Sequence, residues 1–284
     1  MVTTHLKHIN CNICGTDNTA PVATQNNYRF VKCLTCGLVY MDPRPELEVL
    51  KSIYNSYHQR NGRDEYSWEV LMGDIFESVS SLLVNKFPSR GKILDIGCGY
   101  GHFLKIMEGH GWKAEGIDPS PNTVSYARKE GLDVINTTID EASLPESSYK
   151  AVTMFYVLEH LTDPLNALRK VHNLLAPGGA LIIRVPHTTP VVRLLSALKI
   201  SNNLYDAPFH LFDFSPSSIT RLLEKSGFTS IIVMPGEPTV PHRQTERLVS
   251  LSSGYAAKLL YNLSGGKLLL PGVSKTTIAF KPGE

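Results

Sequence analysis

Lys92-Ile93-Leu94-Asp95-Ile96-Gly97-Cys98-Gly99-Tyr100-Gly101 is a short apolar strand that ends in an acid and runs into three glycines at alternate positions. His102-Phe103-Leu104-Lys105-Ile106-Met107 then reads as the start of a helix. A strand-to-helix turn stripped of side chains lets a ligand lie against backbone N–H groups at a helix N-terminus. The spacing departs from the Gly-x-Gly-x-x-Gly of dinucleotide folds, and Asp95 would repel a pyrophosphate placed there. An acid before the turn suits a ligand carrying positive charge. The turn reads as a cofactor site for something other than NAD.

Outward from this turn the pattern alternates strand and helix. Strands are expected at 92–97, 113–117, 132–135, 151–156, 180–185, 229–234 and 276–281, with helices near 102–110, 120–130, 164–175 and 216–227. Asp163-Pro164 and Ser215-Pro216 are helix starts, a capping side chain followed by proline at the first helical position. Pro177-Gly178-Gly179 and Gly227 read as stops. The alternation predicts a doubly wound α/β fold with seven mostly parallel strands, where ligands bind at the C-terminal strand ends. Two stretches exceed a minimal sheet. Residues 188–215 are expected to form a lid, and 236–273 an insertion carrying an amphipathic run over 245–263. Either could cover the site; surface decoration or an oligomer contact is the alternative for the second.

Ahead of the sheet, Trp68, Val70, Leu71, Ile75, Phe76, Val79, Leu82, Leu83 and Phe87 recur at helical spacing. A helix is expected over 46–57 and a loop over 58–66. Residues 1–45 form a separate module and connector, with Leu38-Val39-Tyr40 as a strand and Met41-Asp42-Pro43-Arg44-Pro45 as a stiff link. Cys11, Cys14, Cys33 and Cys36 are two Cys-x2-Cys pairs separated by 18 residues, the spacing of a zinc-ribbon-like site with four thiolates around structural Zn2+. Disulfides are the alternative, disfavoured in a reducing compartment. The fifth cysteine, Cys98, fits as a small residue between glycines.

The chain has 284 residues and a formal net charge of +2, without a long basic run. That charge gives no electrostatic reason to expect nucleic acid or an anionic membrane as partner. No apolar stretch approaches the roughly 20 residues of a membrane span, and residues 1–8 lack a signal-peptide core. A cytoplasmic protein is expected.

With Leu94-Asp95-Ile96-Gly97-Cys98-Gly99-Tyr100-Gly101 and four further motifs, the chain resembles class I S-adenosylmethionine-dependent methyltransferases over about 190 residues. Those motifs are Glu115-Gly116-Ile117-Asp118, the loop 135–144, Phe155-Tyr156-Val157-Leu158-Glu159-His160-Leu161, and Leu174-Leu175-Ala176-Pro177-Gly178-Gly179-Ala180-Leu181. The resemblance implies a Rossmann-like methyltransferase domain over 46–284 and a cofactor site of Asp95, Gly97, Cys98, Gly99, Gly101, Asp118, Pro119, Thr138, Ile139 and Phe155. Asp95 would meet the ammonium of S-adenosylmethionine, Asp118 its ribose hydroxyls, and the 135–144 loop its adenine. A helix cap is the alternative for Asp118, and a solvent-facing strand end for Asp95. Lys150 departs from the family, where many members carry Asp. The run Cys33-Leu34-Thr35-Cys36-Gly37-Leu38-Val39-Tyr40-Met41-Asp42-Pro43-Arg44-Pro45 further resembles a subgroup associated with surface-polysaccharide and natural-product pathways.

The resemblance implies methyl transfer to a small-molecule acceptor, with O-methylation of a sugar, nucleotide-linked sugar or secondary metabolite favoured. A hydroxyl nucleophile benefits from a base titrating near neutrality. Of His160, His187 and His210, which all follow strand ends, His210 in the lid ranks first and His160 second; structural roles are the alternative. Tyr156, Arg193, Tyr205 and Asp206 are expected near the acceptor. Two other functions compete. An RNA base methyltransferase is opposed by the near-neutral charge and by the absence of an Asn/Asp-Pro-Pro-Tyr/Phe motif; an inactive zinc-ribbon interaction protein is opposed by intact Asp95, glycines and Asp118.

Overall fold

A computed structural model describes residues 6–46, 48–50, 65–240 and 244–283. The N-terminal part contains β1 (Leu6–Lys7), β2 (Thr19–Gln25), β3 (Tyr28–Cys33), β4 (Val39–Met41) and β5 (Arg44–Pro45). The connector is more ordered than its prolines suggest, because Leu6↔Pro45 and Lys7↔Arg44 pair antiparallel. The segment between the cysteine pairs also exceeds expectation. Asn26 and Asn27 take positive φ, 48° and 68°, and turn β2 into β3 as a hairpin. The helix and loop expected over 46–57 and 58–66 lie largely outside the described residues, although Glu65 and Tyr66 already belong to α1 (Glu65–Lys86).

The main sheet follows: β6 (Lys92–Ile96), α2 (His102–Gly109), β7 (Lys113–Asp118), α3 (Pro121–Lys129), β8 (Asp133–Asn136), β9 (Tyr149–Phe155), α4 (Pro164–Leu174), β10 (Leu175–Val185) and α5 (Thr189–Ala197). After these come β11 (Phe212–Asp213), α6 (Pro216–Lys225), β12 (Thr229–Pro235), α7 (Gln244–Leu263) and β13 (Lys275–Phe280). Seven strands stand in the order β12-β13-β10-β9-β6-β7-β8, with β13 antiparallel to both neighbours and the other pairs parallel. Near-continuous apolar runs explain why both faces are covered: Leu181, Ile182, Ile183 and Val185 are all fully buried. On α6, Ser218, Ile219, Leu222 and Leu223 form the buried stripe, and Ser215 caps the helix by accepting from the Ser218 N–H. The Pro177-Gly178-Gly179 stop is an irregularity inside β10, where the register with β9 shifts between Leu175 and Ala180.

The segment expected as a lid, residues 188–215, is built on the N-terminal module. β11 pairs antiparallel with β4, giving a second sheet ordered β11-β4-β3-β2. Tyr205 is 1% exposed and stacks on Phe30 of β3 with ring centroids 4.2 Å apart, so it packs between lid and hairpin instead of facing an acceptor. Among the described residues no helix is long and apolar enough to cross a membrane.

Candidate active site

The strand order reverses direction beside β6, and the acids of the glycine-turn region gather at its carboxyl end. Asp95 is 2% exposed and accepts a hydrogen bond from the Thr153 hydroxyl of the adjacent strand at 2.6 Å. Burial, with a further push from Asp118, raises its carboxyl to about 7 despite the Thr153 bond. Asp118 ends β7 and binds inward with both oxygens: Oδ2 accepts from the Gly99 N–H at 3.0 Å, and Oδ1 from the Ser120 N–H and the Thr123 hydroxyl. It thus anchors the start of α3 and the glycine turn together. A carboxylate oxygen has more than one acceptor position, so Oδ2 keeps capacity for a ligand hydroxyl.

The glycines divide the work. Gly97 sits at φ 74°, and a Cβ there would come within 2.4 Å of Val157 Cγ2, so this glycine admits the loop after β9. A Cβ on Gly99 would meet nothing within 4 Å, which leaves an open face over the turn. Gly101 precedes α2 in the left-handed region. Cys98 is buried, and burial first, then Asp95 and Asp118, push its thiol far above the ordinary range; only its backbone is available to a ligand. Phe155 likewise turns its ring into the core, 5.1 Å from Phe76 and 5.0 Å from Phe103. Pro119 follows Asp118 at the strand end, and Thr138 and Ile139 occupy the loop after β8, with Ile139 buried. Lys150 lies at the opposite end of β9 from the turn and donates to Ser89, away from these groups.

Across the sheet ends stands a second cluster. A short 3-10 turn, Leu158–His160, follows β9 and carries Glu159 and His160. The 188–215 segment brings His210 to His160, with ring centroids 4.7 Å apart. His160 Nδ1 lies 2.9 Å from the Phe209 carbonyl, which can only accept, so Nδ1 carries the proton and Nε2 is the basic nitrogen. His210 Nε2 is 4.0 Å from Asp206 Oδ2. Glu159 is fully buried, and among the described residues neither carboxyl oxygen has a hydrogen-bond partner. Burial, reinforced by Asp213, pushes its carboxyl up to about 8. The donor atoms of Glu159, His160 and His210 lie within 4.8 Å of one another, a set that could also hold a divalent cation. Glu159 was missed in sequence reading, although it stands inside the motif that pointed to His160. His187 is buried next to Asp213 and apart from this cluster, with burial lowering its imidazole below the ordinary value. Arg193 is exposed on α5.

The four N-terminal cysteines converge. Cys11 and Cys36 sulfurs are 3.3 Å apart, Cys14 and Cys33 sulfurs 3.5 Å, and all four sit within 4.8 Å of one another. Zn–S bonds of about 2.3 Å place tetrahedral sulfurs about 3.8 Å apart, so the donor set fits zinc. Among the described residues the cysteines form no disulfide. Burial pushes the Cys36 thiol up to about 11, whereas hydrogen bonds from Cys36, Cys14 and Thr35 outweigh burial at Cys33 and hold it at about 7.

A seven-stranded sheet with its antiparallel strand next to last, acids at the ends of β6 and β7, and a glycine turn between β6 and α2 defines the methyltransferase class of α/β folds. The methyltransferase domain family matches residues 68–232, more than half of the chain, and the chain belongs to that family. A ubiquinone biosynthesis O-methyltransferase of Xanthomonas axonopodis pv. citri is 30% identical over 151 residues, 49% of this chain and 63% of that protein. Its counterpart from Xanthomonas campestris pv. campestris (strain B100) is 32% identical over 143 residues, 46% and 60% of the two chains. The chain therefore spans less than two thirds of the length of the curated relatives it matches. Among solved structures, a SAM-dependent methyltransferase from Archaeoglobus fulgidus superimposes with a TM-score of 0.52 at 20% identity, covering 77% of this chain and 100% of that one. A phosphoethanolamine N-methyltransferase 2 from Haemonchus contortus, bound to phosphomonomethylethanolamine and S-adenosylhomocysteine, gives 0.56 at 16% identity, covering 87% and 63%. These likenesses establish the fold.

Proposed function

We propose that the protein transfers a methyl group from S-adenosylmethionine to a hydroxyl of a small-molecule acceptor, a sugar, nucleotide-linked sugar or secondary metabolite. The observation that carries the reading is that two clusters sit at the carboxyl ends of the adjacent parallel strands β6 and β9. Asp95, Asp118 and the open face of Gly99 form one, and Glu159, His160 and His210 the other. The oxygen acceptor is supported by the O-methyltransferase names of the relatives above.

When bound, the cofactor supplies an electrophilic methyl group, and displacement at it rewards alignment. Asp95 pairs with the ligand's ammonium, Gly97, Cys98, Gly99 and Gly101 offer backbone, and Asp118 and Pro119 border the ribose. Thr138, Ile139 and the end of β9 at Phe155 flank the adenine and the methyl-bearing side. His210 takes the acceptor proton, and His160, fixed by the Phe209 carbonyl, is the second base. Glu159, largely protonated near neutrality, would favour an imidazolium beside it by ionising. Cys11, Cys14, Cys33 and Cys36 hold zinc in a structural role, because four thiolates close the coordination shell.

Calorimetric titration with S-adenosylmethionine tests the reading, with one site per chain expected; no binding would favour an interaction protein without activity. In a labelled-methyl transfer assay over hydroxylated acceptors, His210→Ala should lose about 10²–10⁴-fold in rate while cofactor affinity holds. Undiminished transfer by that variant would remove His210 as base.

A further inference from the structure

A cavity of about 420 Å³ lies beyond the end of β10, between the segment that leaves β12, the side of α7 and the turn entering β13. Arg184, Thr239, Ser250, Ser253 and Ser274 supply its polar wall. None of these residues is used by the reading above.

Among the described residues Arg184 is the largest fully buried side chain, 1% exposed at the penultimate position of β10, directly after the buried run Leu181-Ile182-Ile183. All its partners are neutral: Nε donates to the Tyr156 hydroxyl at 2.8 Å, Nη1 to the Thr276 hydroxyl at 3.3 Å and Nη2 to the Glu237 carbonyl. Among the described residues no carboxylate lies within ion-pair reach of the guanidinium. A second buried cation adjoins it. Lys275 is 1% exposed, its ammonium is held among the described residues by the Leu270 and Val273 carbonyls, and burial followed by the charge of Arg184 lowers it to about 8 even though Asp213 acts in the opposite sense.

The nearby acids are committed elsewhere. Asp213 is buried and accepts four hydrogen bonds from the backbone and hydroxyls of Thr188 and Thr189. The Glu237 carboxylate lines the cavity but is paired with Lys258. Burying charge without a counter-ion is costly, and chains do so where a ligand supplies the counter-charge or a network shares it. The guanidinium is also held in place by sequence: a Cβ on Gly236 would come within 1.7 Å of Arg184 Nη1.

The cavity adjoins the methyl-donor side at Tyr156. This residue directly follows β9 at φ 57°, its hydroxyl bridges Arg184 and Ser274, and the next residue, Val157, packs on Gly97. We propose that the Arg184 cavity binds an anionic group of the methyl acceptor, a phosphate or a carboxylate, with Arg184 as its principal donor and the serine and threonine hydroxyls completing the contacts. The assignment of this anion to the acceptor rests on the methyl-transfer reading. A planar guanidinium suits two oxygens of either group.

Titration of the intact protein with sodium pyrophosphate and, separately, sodium acetate at matched ionic strength tests the site, with the preferred anion distinguishing phosphate from carboxylate. One anion per chain is expected, weakened about tenfold or more, roughly 1.4 kcal/mol, in Arg184→Gln. Because a change at a buried arginine can disturb folding, Ser253→Asp serves as the second variant; it adds a negative charge to the wall from the partly exposed side of α7 and should weaken binding equally. Absence of binding by either anion, or binding unchanged in Ser253→Asp, overturns the proposal. S-adenosylmethionine titrated into the same samples should bind equally in all three proteins. Its failure in the wild type would overturn methyl transfer while leaving the anion result to stand by itself.

Discussion

At the scale of single residues, Asp95 carries the sharpest prediction. Its carboxyl has a value near 7 in the free protein because burial opposes its charge, whereas a bound ammonium requires the ionised form. Cofactor affinity should therefore fall about tenfold per pH unit below 7 and flatten above it. Calorimetry from pH 5.5 to 8 in buffers of different ionisation enthalpy reads both the slope and the released proton; a flat profile would refute the assignment. The stability consequence has the opposite sense. A folded value raised above the unfolded one favours folding below pH 4 and loses that contribution as pH rises through 7. Ligand-free Asp95→Asn should thus melt no lower than the wild type at pH 8 while its cofactor affinity drops about 30-fold or more, the loss of a charge-assisted contact. The two glycines separate in the same way. Gly99→Ala, with space for its Cβ, should fold with a loss of about 1–2 kcal/mol from its left-handed backbone and lose cofactor binding. Gly97→Ala must displace Val157 and should be the more destabilised of the pair in thermal melts.

At the scale of elements, the helix caps link the sheet to the N-terminal module. Asp163 accepts from the Asn166 N–H as the cap of α4 and also from the Asn12 side chain of the first cysteine knuckle at 2.9 Å. Ser215 caps α6, and its partners among the described residues, Ser217, Ser218 and Ile219, all lie on that helix. Each change to alanine should cost about 1 kcal/mol, roughly 2–4 °C in Tm for a chain of this size. Only Asp163→Ala should in addition raise amide exchange at Asn12 and Leu165, whose N–H is held by Asn12. Both caps were legible because an acid or hydroxyl precedes proline, and the central strands β9 and β10 were legible because buried strands are written in apolar runs, whereas the edge strands β8 and β12, exposed or half-buried at most positions, were legible from the alternation of strand and helix. The β2–β3 hairpin was overlooked although Asn26-Asn27 is its signal; polar residues around the knuckles concealed two half-buried strands. The irregular start of β10 and the pairing of β11 with β4 were beyond reach, since neither a register shift nor a partner from 170 residues away leaves a local pattern. Arg184 escaped notice because one arginine in an apolar strand reads as an edge position, while its neighbours place it in the centre.

At the scale of the whole molecule, the cysteine module and the proposed base belong to one mechanical unit. Leu211 donates its N–H to the Glu159 carbonyl and accepts at its own carbonyl from the Met41 N–H, both at 2.8 Å. A single lid residue therefore ties the turn bearing Glu159 and His160 to the strand that leaves the second knuckle. Gln25 binds Tyr205 N–H and Asn202, and Asn26 binds the Ala207 carbonyl, so the hairpin holds the lid on both sides of the segment leading to His210. Arg221 donates to the Cys36 carbonyl and Lys225 to the Ile13 carbonyl, seating both knuckles on α6. Four closely spaced thiols have no apolar substitute for a shared cation, and in small metal modules binding energy is folding energy. Removing the proposed zinc with a strong chelator should accordingly loosen β2, β3 and β4, free β11 and separate His210 from His160, while Asp95, Asp118 and the glycine turn remain on the main sheet. Methyl transfer should fall about 10²-fold or more, the scale of a lost positioned base, with S-adenosylmethionine affinity changed by less than about threefold, under 1 kcal/mol. Hydrogen exchange should show the loss confined to residues 6–46 and 198–214. Equal loss of transfer and cofactor binding would mean that the module supports the main sheet as a whole, and unchanged transfer after complete metal removal would show that the lid is held without it.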